Sequence, residues 1–123
     1  MAGGSEELRI LLKGFNGQTG SRMSAVVTRS GGVLASVLPD DVPADNFATM
    51  AATLLGALEV IYSATKGPSP QKVTVQTEAG NLVVRVVTPK VFLVALTDGS
   101  LADVAAHVEE TAVRARALLA RTS

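Results

Sequence analysis

The sequence predicts a mixed α/β domain of order α-β-β-α-β-β-β-α, with helices on both sides of its sheet. Three observations carry this reading. The stretches LVVRVVT (82–88) and VFLVALT (91–97) are apolar at odd and even positions alike, apart from Arg85, as strands covered on both faces are. Three longer stretches instead repeat apolar residues at helical spacing. Glycine and proline punctuate the boundaries between them. The 123 residues fit one domain with one core, 1–123, the core running from about 5 to 121.

Ser5 to Phe15 reads as a short helix. Ser5 is placed to cap it, Glu6 and Glu7 to sit in its first turn, and Leu8, Leu11, Leu12 and Phe15 to form one stripe. Gly14, Gly17 and Gly20 are expected to break it. The segment GFNGQTGS lacks the G-x-x-x-x-G-K-[ST] pattern and follows no predicted strand, so it reads as a flexible connection and not a phosphate loop. Met23–Arg29 and Val33–Leu38 flank Ser30-Gly31-Gly32 and form a hairpin. Pro39, Asp40, Asp41 and Pro43 lead into the next helix, the two acids as capping groups at its positive end and not as an acid–base pair.

That helix, Phe47 to Thr65, organises the chain. Phe47, Met50, Ala51, Leu54, Leu58, Ile61 and Tyr62 share one face, the expected core face. Thr49, Ala52, Thr53, Gly56, Val60, Ser63 and Ala64 share the other, all small or uncharged, with Glu59 to one side as the only charge. An exposed helix ordinarily carries Lys and Glu there, so both faces of this one are prepared for contact. Gly56 costs about 1 kcal/mol relative to Ala in a helix interior, which fits close approach of another backbone. A membrane span is not expected from a Thr- and Ala-rich run with an acid near its middle that barely reaches the ~20 apolar residues a bilayer needs.

Gly67 and Pro68 end the helix as C-cap and breaker. Strands follow at Lys72–Thr77, Leu82–Thr88 and Val91–Thr97, joined by Ala79-Gly80-Asn81 and Pro89-Lys90. KVTVQT alternates more strictly than the other two and reads as an edge strand. Ser100-Leu101-Ala102-Asp103 resembles a capping box and opens a last helix to about Leu119. Its buried stripe is Leu101, Val104, Ala105, Val108, Ala112, Ala115 and Leu119.

Composition excludes several functions. The formal net charge is zero, so electrostatics suggests neither nucleic acid nor an anionic membrane as partner. Arg114, Arg116 and Arg121 follow Glu109 and Glu110 on one helix and read as a solvated face. Four aromatic residues and no Trp make no stacking platform. With no cysteine there is no disulfide, thiolate metal site or cysteine nucleophile. The one histidine, His107, falls on the polar side of the last helix with Asp103 or Glu110 as its only short-range partners. No G-x-S-x-G elbow and no G-x-G-x-x-G after a strand is present. No catalytic residue, cofactor site or metal site is assigned, and an interaction module is what remains. The N-terminus MAGGSEEL has no signal-peptide pattern, so a cytoplasmic location is the expectation.

The segment SAVVTRSGGVLASVLPDDVPADNFATMAATLLGALEVI resembles the first half of the roadblock/LC7 domain: a hairpin with a Gly turn, a "vLAS" strand, an acidic Pro-containing link and an Ala-rich long helix. VTVQTEAGNLVVRVVTPKVFLVALTDGSLADVAAHVEETAVRARALL is similar to its second half. The resemblance implies a profilin-like α/β/α sandwich around a five-stranded antiparallel sheet. It also implies a homodimer, or a heterodimer with a paralogue, in which long helices pack antiparallel and third strands pair edge to edge. The expected dimer contacts are Met50, Thr53, Leu54, Ala57, Val60 and Ile61 on the helix, with Val73 and Val75 on the strand. Both flanks of the helix are included because the wheel does not say which meets the sheet.

By the same resemblance the partner is a small Ras-like GTPase, which the domain binds and regulates, in some members by activating hydrolysis without an arginine finger. The chemistry stays with the GTPase, so Arg29 and Arg85 are not expected as fingers, and Arg85 is expected to emerge at the sheet surface. The alternatives are a scaffold with no effect on nucleotide turnover, and a small-ligand sensor with a polar group buried among the strands.

Overall fold

The computed structural model describes residues 2–98 and 100–122. Met1, Gly99 and Ser123, which the expected span of 1–123 includes, lie outside the described residues. The order is α1 (Ala2–Thr19), β1 (Ser21–Thr28), β2 (Val33–Val37), α2 (Ala44–Ala64), β3 (Lys72–Thr77), β4 (Gly80–Thr88), β5 (Val91–Thr97) and α3 (Leu101–Thr122). It is the order read from the sequence. The strands form one antiparallel five-stranded sheet ordered β2-β1-β5-β4-β3. The central pairing therefore joins the two halves of the chain, with Ala25 opposite Val94.

Period-two alternation divides the core. Val26, Val83, Val87, Leu93 and Ala95 point to the face covered by α1 and α3, meeting Leu8, Leu12, Phe15, Val104, Val108 and Ala112. Ala25, Val27, Val84, Val86, Phe92 and Val94 point to the other face, where α2 sets Ala48, Ala51 and Leu55 on them. β5 is buried from Val91 to Ala95 on both faces, which is why its sequence does not alternate. α3 buries Val104, Val108, Ala112 and Ala115 of the expected stripe, with Leu101, Ala105 and Leu119 half-buried, and Ser100 Oγ holds its first turn, accepting from the Asp103 N–H at 3.3 Å.

Several local expectations are corrected. Gly14 and Gly17 do not break α1, which runs to Thr19 and stops at Gly20 (φ +67). Both glycines lie on its exposed side, and the Leu8–Leu12–Phe15 stripe supplies the packing that overrides propensity. Ser5 lies inside this helix and is no cap. Asp40 and Asp41 do not cap α2 either. Pro43 is its N-cap, without a side-chain bond, and Asp45 is the acid in its first turn.

At the other end of α2, Lys66 (φ +58) takes the left-handed position expected of Gly67. The Gly67 N–H reaches the Tyr62 carbonyl at 3.1 Å and the Lys66 N–H the Ser63 carbonyl at 3.0 Å, a Schellman closure shifted by one residue.

Candidate protein–protein interface

The face of α2 toward the sheet is rotated from the expected one and shares only Phe47, Ala51 and Leu54 with it. Ala48, Ala51 and Leu55 are buried, and Phe47, Ala52 and Leu54 pack partly against them. Met50 (63% exposed), Ile61 (59%) and Tyr62 (46%), expected in the core, point outward. The physical reason is spacing: Ala48, Ala51 and Leu55 recur at i, i+3 and i+7, a narrow stripe that meets Ala25, Val27, Phe92 and Val94 on the sheet. The large apolar groups are left on the open side, where Val60 joins them at 71% exposure.

α2 makes its principal contacts with β1 and β2. Beyond Leu55 no α2 side chain is buried, and Gly56 has no neighbour near the position of a Cβ. The helix has the length and composition to cross a bilayer, yet little of its most apolar stretch is buried. The helix, roughly 30 Å long, thus presents an apolar outer side that the described residues leave open.

β3 extends the same surface. It pairs only with β4, so its outer edge forms no ladder among the described residues. Val73 lies opposite Val84 and Val75 opposite Leu82, which places both on the α2 side of the sheet. Val73 is half-buried and Val75 is 40% exposed. Of the expected contact residues, Met50, Thr53, Ala57, Val60, Ile61 and Val75 are exposed, while Leu54 and Val73 are partly engaged by the chain's own core. The helix and the strand thus share one open face.

The charged groups near this face are engaged. Glu59 pairs with Arg29, tying the end of the β1–β2 hairpin to α2. Arg85 reaches α3 and pairs with Glu109, so it is a bridge across the opposite face and not a free surface cation. His107 is half-buried, with Nδ1 unpartnered, and neither Asp103 nor Glu110 engages it; Glu110 pairs with Arg114 at 3.0 Å. Among the described residues no group of three His, Asp or Glu could hold a metal ion.

One sheet face finished by two helices, and one left partly open beside a bare strand edge, define an interaction domain. Its family follows from the Roadblock/LC7 domain model, which matches residues 7–97; the chain belongs to the Roadblock/LC7 domain family. Solved structures share the fold. The gliding protein MglB from Thermus thermophilus is 23% identical, with 94% of this chain and 90% of that one covered at a TM-score of 0.85. Myxococcus xanthus MglB is 12% identical, with 96% and 91% covered and a TM-score of 0.90. Acanthamoeba castellanii profilin IB is 13% identical, with 89% and 97% covered and a TM-score of 0.65. No curated protein matches the sequence.

Proposed function

We propose that the chain is a cytoplasmic, non-enzymatic homodimer that binds and regulates a small Ras-like GTPase. The observation that carries the proposal is the shared open face: the outward apolar residues of α2 beside the unpaired edge of β3. Two copies related by a two-fold axis would cover both at once, helix on helix and strand on strand, and would complete the edge hydrogen bonding. Family membership and the fold shared with the MglB structures support the same reading. Hydrolysis in this reading is left to the partner's own machinery; Arg29 and Arg85 pair with Glu59 and Glu109.

The test is a light-scattering mass at micromolar concentration, followed by binding and single-turnover GTP hydrolysis with a panel of small Ras-like GTPases. A dimer that binds a GTPase and changes its turnover supports regulation. Binding with unchanged turnover makes it a scaffold. A monomer that binds none of them overturns the proposal and leaves the open face to another occupant, a bilayer included.

A further inference from the structure

A second site is carried by the opposite end of the sheet from the β3–β4 turn. We infer that the cleft beside the β4–β5 turn binds a small organic anion, a carboxylate or phosphate ester on an apolar body. Its volume is about 510 Å³, in the size range of small-molecule sites. It lies where the β4–β5 register shifts between Val86 and Thr88, the kind of irregularity that re-aims side chains at a strand end.

Two guanidiniums reach this cleft from opposite faces of the sheet: Arg29 follows β1 and Arg116 belongs to α3. Arg29 gives Nη1 to Glu59, while its Nε is buried without a hydrogen-bond partner. A buried charged donor lacking an acceptor is costly, and it marks a place where an acceptor belongs. Arg116 donates Nε–H to the Val87 carbonyl at 2.9 Å, which fixes its plane and leaves its terminal nitrogens without a protein acceptor among the described residues.

Thr88 Oγ1 accepts from the Lys90 N–H at 3.2 Å, so its own proton is available to donate. Glu59 is the one acid in the lining against two arginines, and Val86 and Pro89 supply an apolar wall. Planar guanidinium forks beside an apolar wall select a carboxylate or phosphate oxygen pair attached to carbon, over a bare ion.

The experiment is an amide and arginine-Nε NMR titration of the full chain with phenyl phosphate, benzoate and inorganic phosphate. Saturable shifts are expected at Gln71, Thr88, Lys90, Arg29 and Arg116, with an aromatic anion binding several-fold more tightly than inorganic phosphate. Saturation by phenyl phosphate alone assigns a phosphate-ester site, and by benzoate alone a carboxylate site. Arg116→Gln should weaken binding about tenfold, and Glu59→Gln should strengthen it by removing the competing carboxylate. Arg121→Gln, at an exposed arginine paired with Glu7 elsewhere, should leave it unchanged. Should Arg116→Gln lose its dispersed spectrum, Arg116→Lys keeps the charge without the fork and serves the same comparison. The inference is overturned if no probe saturates by about 10 mM, if inorganic phosphate binds as well as the aromatic anions, or if the folded Arg116 variant binds as the parent does.

Discussion

The Arg85 guanidinium holds the Glu109 carboxylate side-on, Nε to Oε2 at 2.8 Å and Nη2 to Oε1 at 3.0 Å. Its Nη1 donates to the Val86 carbonyl at 2.9 Å, so one side chain couples β4 to α3 and to its own strand. The paired bonds from Arg85 hold the Glu109 carboxyl below its ordinary value of 4.5, and Glu109 in turn raises Arg85.

A carboxyl lowered in the folded state stabilises the fold above its unfolded value, and that contribution fades as pH falls through the lowered one. Because Glu109 is half exposed, solvent screening limits the effect to about 1 kcal/mol or less. Glu109→Gln should therefore lose this much in urea unfolding at pH 7 and progressively less below pH 4.5. An equal loss at pH 3 would mean that the carboxylate's charge is not what matters.

Lys66 is the one non-glycine residue with positive φ among the described residues. The left-handed conformation costs an L-residue about 1–2 kcal/mol, against which glycine loses more chain entropy on folding. Lys66→Gly should raise stability by about 0.5–1 kcal/mol, read as a higher denaturant midpoint with an unchanged slope. A lower midpoint would show that the Lys66 side chain contributes more than its backbone strain.

Gly80 at φ +153 has no room for a side chain. A Cβ there would stand 2.8 Å from Arg22 Nη2 and 3.1 Å from the Thr97 carbonyl oxygen. Gly80→Ala should cost about 1–3 kcal/mol and displace the Arg22 bond to the Ala79 carbonyl. A thermal melt of the variant checks it, and an unchanged midpoint would refute the crowding.

Ala57 and Leu55 separate assembly from folding. Ala57 is exposed on α2, whereas Leu55 is 1% exposed and anchors the helix to the sheet. Ala57→Glu should halve the solution mass and leave the circular dichroism spectrum of a folded chain. Leu55→Ala should instead lose about 2–5 kcal/mol of stability. Retention of the parental mass by Ala57→Glu would remove α2 from the dimer contact.

The sheet and its element order were legible because the strands declare themselves. VFLVALT without polar alternation can only be a doubly covered strand, and KVTVQT with it reads as an edge. The orientation of α2 was not legible. Its stripe of large residues suggests a core, but the sheet takes the neighbouring stripe of Ala48, Ala51 and Leu55 instead, a choice between two apolar faces that the wheel alone does not make. Glycine was misleading twice, at Gly14 and at Gly67, because propensity is local while packing and the αL position are settled by neighbours. Arg116 was read with the surface arginines Arg114 and Arg121. Its contact with Val87 depends on a bulge between Val86 and Thr88 that no spacing signals.

The placement of β1 beside β5 has a consequence for synthesis. While the chain emerges from a ribosome, the β1–β2 hairpin and the apolar α2 are made long before Val91–Thr97 exists to lie against Ala25 and Val27. The nascent first half offers α2 only β1 and β2, without Phe92 and Val94 of β5, and long-range pairing of this kind closes slowly. The apolar residues of α1 and α2 are thus both exposed during translation on a precursor with neither face of its sheet finished, surface of the kind a chaperone binds.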